Sequence, residues 1–354
     1  MTRQLATIRT IGAINRHPNA DKLELATVDG WTCVVKKDEF CVGQSVVYFE
    51  IDSWLPTAVA PFLTKPGKHA KTFEGIEGER LRTVRLRGEL SQGLVLPLSI
   101  LPDSFTDTAA LCNKLLTECV GMDVTETLGI KKWEKPLNPQ LAGLARGNFP
   151  TFIPKTDQGR IQNIFHKLTD EQKTDIYEVT LKLDGSSATY FVNEGSTGVC
   201  SRNLELKTDE GNEENSFVKK YYELDLAAKL TAFNLRTGRN IALQGELWGS
   251  GINGNWEGRN DHRFSLFDVY DIDQKKYWSA MGRSFLANDL GIDHVPRLDA
   301  ITLERFKTVD DFLAYADRES VYNVVAEGVV FKSIANPNFS FKVINNNFLL
   351  AGND

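Results

Sequence analysis

The chain has 354 residues, 42% hydrophobic and 25% charged, with 41 Lys and Arg against 47 Asp and Glu for a net charge of −6. That length suggests about two domains, and the composition excludes a disordered chain, a collagen and a coiled coil. No run of 18 apolar residues occurs, so no transmembrane helix and no membrane partner are expected. The stretch Met1 to Gly12 lacks the apolar core of a secretory signal. Five cysteines (33, 41, 112, 119 and 200) show no C-x2–4-C spacing, and the histidines are scattered. The pattern indicates neither a disulfide framework nor structural zinc, and it points to a cytoplasmic protein with reduced thiols.

Residues 5–101 read as strand-rich. ELATVDGWTCVV (24–35) is two short strands joined at Asp29-Gly30, a hairpin signal. QSVVYFEID (44–52), LRTVRLRG (81–88) and GLVLPL (93–98) are further strand-like runs. Short strands with Gly and Asp turns suggest a small closed barrel. The segment IGAINRHPNADKLELATVDGWTCVV (11–35) resembles the start of tRNA-binding OB-fold domains, which implies an OB-like barrel. Seven basic residues against three acidic ones lie between Lys65 and Arg87, a patch suited to phosphate contacts. The alternative is a solvated strand face.

Cys112 and Cys119 read as core positions of a helix. A connector with Trp133, Pro136 and Pro139 follows. The expected organisation is a nucleic-acid-binding module at 1–125, a linker at 126–148 and a second domain at 149–354. In the second domain, Ser216 is expected to cap a helix carrying Phe217, Tyr221, Leu224 and Ala228, and Thr308 one carrying Phe312, Leu313 and Ala316. EGNEEN (210–215) reads as an acidic loop. Strand-like runs between the helices make the class α+β, with a mixed α/β second domain.

The chemistry-bearing residues sit at strand ends of this second domain. In YEVTLKLDGSS (177–187), Tyr177, Val179 and Leu181 alternate with Glu178, Thr180 and Lys182, which puts Lys182 opposite the apolar face. A lysine two residues before an aspartate suits a nucleophile beside a metal-binding carboxylate. Free lysine, with a pKa of about 10.4, needs help to lose its proton. SRN (201–203), IALQGELWG (241–249), RFSLFDVYD (263–271), VAEGVVFKS (325–333) and FSFKVINNN (339–347) follow in order. Glu246, Glu327 and Lys342 are acids and a base that a pure core would not use, and Phe267 is aligned with Arg263 and Ser265. Singly, the two glutamates fit surface carboxylates, Phe267 a core ring and Lys342 a solvated lysine. Their order makes that set of readings a poor fit.

The ordered motifs resemble the covalent nucleotidyltransferases, the ATP-dependent nucleic-acid ligases and RNA-capping enzymes, over about 149–350. KLDG is similar to the first motif of that family. DNA ligases and capping enzymes carry an OB domain after the last motif, whereas here only twelve residues follow Lys342 and the OB-like segment comes first. That order, with RTVRLRGELSQGLVLP (82–97) and FPTFIPKTDQGRIQN (149–163), resembles the nick-sealing RNA ligases with an N-terminal OB module. The resemblance implies a nucleotidyltransferase domain of ATP-grasp-like ligase type. It implies an enzyme that seals 5′-phosphate and 3′-OH ends through lysyl-AMP and adenylylated RNA.

The resemblance also implies roles. Lys182 is the nucleophile. Asp184 and Glu327 hold Mg²⁺ or Mn²⁺ through its water, with Glu246 beside them or on the ribose. Arg202 contacts the ribose or reacting phosphate. Phe267 stacks on adenine, Val330 lies on the other face, and Leu181 adjoins the nucleotide. Lys342 neutralises the α-phosphate, and Arg160 reaches a phosphate. Relatives often carry Lys-x-Lys in the last motif; here Ile344 takes the second place, which leaves Lys332 as a substitute cation. The expected partner is a nicked duplex with an RNA 3′-OH strand, bound by a monomer. An ATP-dependent DNA ligase, or an RNA- or tRNA-binding protein with a vestigial nucleotide site, are the alternatives.

Overall fold

The structure is a computed structural model that describes residues 3–103, 105, 119–134, 143–209, 211–323 and 325–351. The chain divides into two compact units, 1–136 and 137–353.

The first unit is built from short strands: β1 (Ala6–Thr10), β2 (Ala13–Arg16), β3 (Leu23–Val28), β4 (Trp31–Lys36), β5 (Ser45–Phe49), β6 (Ser53–Pro56), β7 (Lys71–Phe73), β8 (Ile76–Arg80), β9 (Val84–Leu86), β10 (Glu89–Ser91), β11 (Leu94–Pro97) and β12 (Lys131–Lys132). Antiparallel sheets form in the orders β1-β5-β11, β2-β3-β4 and β12-β6-β8-β7, with β9 and β10 as a hairpin. The Asp29-Gly30 turn joins β3 to β4 with φ of 47° and 81°, the left-handed pair a two-residue hairpin requires. Strand β5 shows why its run is continuously apolar. Val46 and Tyr48 enter one core with Trp31 and Val95, while Val47 and Phe49 enter a second with Ile8 and Leu55.

The basic segment divides in two. Arg80 bonds Asp52 and lies over the Trp133 ring, 4.0 Å from its centroid, so it is not part of a free patch. Arg82, Arg85 and Arg87 are exposed on the β9–β10 hairpin or just before it. That hairpin is gripped from the HPNADKL segment. His17 is fully buried; its Nδ1 accepts the Asn19 N–H at 3.1 Å, so the proton sits on Nε2 and is donated to Leu86 O at 3.0 Å. The Asn19 side-chain amide donates to Arg87 O at 3.0 Å. The residue expected as helical core at Cys112 lies outside the described residues, and Cys119 is buried in the second of the two cores.

The second unit holds β13 (Ala145–Asn148), β14 (Gly159–Arg160), β15 (Ile176–Lys182), β16 (Ser186–Asn193), β17 (Ser196–Cys200), β18 (Leu204–Leu206), β19 (Ile241–Gly249), β20 (His262–Asp271), β21 (Lys276–Tyr277), β22 (Asp293–His294), β23 (Arg297–Thr302), β24 (Gly328–Ser333) and β25 (Ser340–Ile344). One sheet runs β13-β18-β17-β16-β19-β20-β21, with β22 on β20; the other runs β14-β25-β24-β15-β23. The segment expected as a linker, 126–148, thus supplies β12 to the first unit and β13 to the second.

Besides short helices at Ile161–Ile164 and Asp170–Thr174, the described residues of this unit form α1 (Ser216–Glu223), α2 (Leu226–Thr237), α3 (Ala280–Leu290), α4 (Val309–Ala316) and α5 (Asn346–Leu350). Leu226, Leu230, Phe233 and Leu286 bury one face of the first sheet, and Phe312 and Ala316 bury one face of the second with Tyr177, Val179, Phe331 and Phe341. Thr308 caps α4 in a capping box with Asp311, as its position predicts. The expected cap at Ser216 is corrected: Asn215 accepts the Phe217 N–H, and Ser216 is the first helical residue. The single expected helix is also two, because Asp225 turns left-handed at φ 51°. A His17→Ala change deletes two buried hydrogen bonds and opens a cavity, so it should cost about 2–3 kcal/mol; urea unfolding followed by the first unit's Trp31 and Trp54 fluorescence checks this.

Candidate active site

The site forms on the inner face of the β14-β25-β24-β15-β23 sheet. Register places Lys182 opposite Gly328, Thr180 opposite Val330, and Val330 opposite Lys342. Lys182, Val330 and Lys342 therefore share one face in adjoining rows. The strand does not leave this face to solvent, as simple alternation suggests. Glu178 and Thr180 are buried as well, because the other sheet covers them.

The turn after β15 brings in the acids. Gly185 lies so close to β19 that a Cβ there would sit 2.4 Å from Leu247 O and 2.8 Å from Glu246 Cγ. Only glycine allows this approach, and it carries the Lys182–Asp184 turn against Glu246. Lys182 Nζ bonds Glu327 Oε1 at 2.6 Å. Burial acts to lower the Lys182 pKa, but Glu327, Glu246 and Asp184 outweigh it and hold the amine above its ordinary value. The acids feel the crowding. Burial pushes Glu246 up to about 8 against the pull of Lys182, with Glu327, Asp184 and Glu257 adding to the rise. Burial likewise raises Asp184 and Glu327. Lys342 is pushed down to about 7 by burial, then by the charges of Lys182 and Arg160. So Lys182, Asp184, Glu246, Glu327, Lys342 and Arg160 form one electrostatic group.

Phe267 has a different cause from the one alternation gives. The β19–β20 register shifts between Gln244 and Gly245, so Phe267 is the extra residue of a β-bulge. Half-buried, it packs beside Leu181, Leu183 and Trp248. Arg202 is exposed and bonds Asp157 at 3.3 Å. Asp157 in turn acts on Lys342.

Lys332 is corrected. It sits four residues along β24 from Gly328, about 13 Å from the Lys182 row at strand spacing. There it is buried, bonds Asp268, and lies 5.0 Å over the Tyr277 ring. Arg283, 1% exposed, bonds Glu178 and donates to His294 Nε2 at 2.8 Å. Burial pushes His294 down to about 4, which keeps it a neutral acceptor. Asp268 already neutralises Lys332, so the charge is not free for a phosphate.

The sequence gives Glu257 no motif. It lies in SGINGNWEGRN (250–260), one acid among turn formers, and that lone acid is its only signal. In the structure it is buried, and its Oε1 accepts the Asp184 N–H at 2.9 Å. Glu257 Oε2 and Glu327 Oε2 are buried without a hydrogen-bond partner. Such hard oxygen donors suit Mg²⁺ or Mn²⁺. Among the described residues no three His, Cys, Asp or Glu enclose an ion by themselves. The acids fit a cation that keeps part of its water.

A family model described as an OB-fold domain matches residues 5–98, and one described as RNA ligase matches residues 175–344. Fold and site thus define a class, an N-terminal OB-fold unit followed by an α/β ligase unit. Among solved structures, the RNA ligase of Naegleria gruberi with pyrophosphate is 43% identical, with a TM-score of 0.80 over 98% of each chain. A variant of that ligase with ATP and manganese is 42% identical, with a TM-score of 0.80 over 99% of this chain and 100% of that one. Another variant with AMP and manganese is 42% identical, with a TM-score of 0.81 over 98% of each. The comparison with curated proteins gives no match. The chain belongs to the RNA ligase family.

The raised Glu246 makes a stability prediction. Its folded value, about 8, lies above the ordinary 4.5, so its favourable contribution is complete below pH 4.5 and is lost as pH rises through about 8. Glu246→Gln imitates the protonated form. Without divalent metal, this variant should be more stable than the unaltered chain at pH 8 by on the order of 1 kcal/mol, and the gap should close towards pH 4.5. Thermal unfolding across that pH range checks it.

Proposed function

We propose that the chain is an ATP-dependent RNA ligase that seals 5′-phosphate to 3′-OH ends at nicks in a duplex with an RNA 3′-OH strand, acting as a monomer. The observation that carries the reading is the Lys182 amine, held at 2.6 Å from Glu327 at a strand end, with Lys342 on the same sheet face. Similarity over nearly the whole chain to an RNA ligase seen with ATP and manganese supports it.

Lys182 Nζ attacks the α-phosphate of ATP, forming an N–P bond and releasing pyrophosphate. The AMP then passes to the RNA 5′-phosphate, and the 3′-OH displaces it to make the phosphodiester. Lys182 must first lose the proton that its three carboxylate neighbours favour. Asp184, Glu246 and Glu327 would hold a hydrated Mg²⁺ or Mn²⁺. Such an ion, when bound, supplies the positive charge that offsets those carboxylates and polarises the phosphate. Lys342, with its pKa near 7, gains its proton most readily when a triphosphate lies against it. Arg160 and Arg202 flank the phosphates. Phe267 and Val330 are the apolar walls for adenine, with Leu181 packed against Phe267. Phosphoryl transfer needs this positioning and charge neutralisation more than any further covalent group.

Residues 149–354 carry the chemistry in this reading and 1–125 contribute the RNA surface. The exposed Arg82, Arg85 and Arg87, on a hairpin held by His17 and Asn19, support that division. An A-form duplex is read by its backbone and 2′-hydroxyls. The free thiols of Cys33, Cys41 and Cys200 support a cytoplasmic setting. Among the described residues no helix is long and apolar enough to cross a membrane.

The test is sealing of a nicked duplex with ribose or deoxyribose on the 3′-OH strand. We expect sealing with ribose and a loss of at least tenfold with deoxyribose; equal sealing of both would point to a DNA ligase. Binding should weaken steeply with salt. Arg85→Ala with Arg87→Ala should slow sealing about tenfold while adenylylation of Lys182 stays within twofold. Equal loss in both steps would remove the hairpin from the RNA surface.

A further inference from the structure

The loop between β19 and β20 turns through left-handed backbone at Gly251, Asn253, Asn255 and Gly258. It contacts both the turn after Lys182 and the segment leading into β24. Asn253 Nδ2 donates to Asp184 Oδ1 at 3.3 Å and also to Gly185 O. The backbone N–H groups of Gly254 and Trp256 also act on the Asp184 carboxylate and pull its pKa down against its burial. In return the Asp184 N–H donates to Glu257 Oε1. The Trp256 indole N–H donates to Val325 O at 2.6 Å, two residues before Glu327. One loop therefore fixes the backbone on both sides of the Lys182–Glu327 pair.

Asp184 is heavily used by this lock. A carboxylate offers about four lone-pair positions, and three protein donors already reach it. Glu257 is the reverse case. It is 4% exposed, Oε1 holds the turn, its own backbone N–H also acts on the carboxylate, and Oε2 has no hydrogen-bond partner. Its charge acts on Glu246, and the charges of Asp184 and Glu327 act on it, so the four acids are near neighbours. The second oxygen of Glu327 is unpartnered there as well. A buried carboxylate oxygen left without a donor is costly unless something binds it.

We propose that Glu257 is a fourth acid of the centre, whose Oε2 accepts a hydrogen bond from a water of the hydrated divalent cation while Oε1 keeps the Asp184 backbone in place. The proposal rests on the ligase reading of the site. It explains why two carboxylate oxygens are free although no three acids enclose a bare ion among the described residues. Ions such as Mg²⁺ keep several waters and are bound through one or two carboxylates, so groups that hold those waters set affinity.

The test is Mn²⁺ binding to the full chain, read from the electron paramagnetic resonance of free Mn²⁺, beside the Mn²⁺ concentration for half-maximal adenylylation of Lys182. Glu257→Gln keeps the size and the Oε1 acceptor but removes the charge. We expect both quantities to rise about tenfold with no fall in the melting temperature of the metal-free chain. Asn253→Ala loosens the same loop and leaves the carboxylate, and should change Mn²⁺ affinity less than threefold. Unchanged affinity in Glu257→Gln, or equal loss in the two variants, would overturn the proposal and leave Glu257 an anchor of the turn. Failure of the unaltered chain to take up AMP at any Mn²⁺ concentration would instead sink the ligase reading itself.

Discussion

The structure depends on one unfavourable act, the enclosure of the Lys182 amine between two sheets. Burial alone would lower its pKa, and the carboxylates of Glu327, Glu246 and Asp184 outweigh that. The result is a balance of opposed terms rather than a simple salt bridge. The acids in turn are held above their ordinary values by burial and by one another. A site of this kind is poised: a change in local positive charge alters several protonation states together. Strained electrostatics of this sort is tolerated because the surrounding strands are rigid and deeply packed.

That rigidity has a visible source. One side of each sheet is sealed by helices, with Phe306, Phe312, Phe331 and Phe341 forming a stacked aromatic block behind the reactive face. Between the sheets, the charges of Glu178, Asp268, Arg283 and Lys332 form a closed ionic floor. Removing one partner of such a cluster leaves a buried charge uncompensated, which commonly costs about 3–5 kcal/mol. The floor ties Glu178 on β15 and Lys332 on β24 to Arg283 on α3 and Asp268 on β20. The polar residues of the inner face thus divide by row, with structure at one end and chemistry at the other.

Much of this was legible in the sequence because it is local. The Asp29-Gly30 hairpin, the Thr308 cap and the end of the strand at Lys182 follow from patterns a few residues long, whereas Lys342, expected at a strand end, lies in the middle of β25 and Glu327 just before β24. What escaped depends on distant chain. Lys332 looks like a spare cation until Asp268, 64 residues away, is placed beside it. Alternation assigns Phe267 to a face, but the bulge at that residue re-aims the strand. Asp225 carries no glycine-like signal for its left-handed backbone, so two helices read as one. Glu257 has no motif because its meaning comes from Asp184, 73 residues earlier. His17 reads as an isolated histidine until the carbonyl of Leu86 gives it a partner.

The central claim is that Lys182 becomes covalently adenylylated. The direct measurement is intact-mass spectrometry of the purified chain after incubation with ATP and Mg²⁺, beside a Lys182→Ala variant. The account predicts a gain of one AMP on the unaltered chain and none on the variant. No AMP on either, with Mn²⁺ in place of Mg²⁺ as well, would contradict it and leave an RNA-binding protein with an inert nucleotide site.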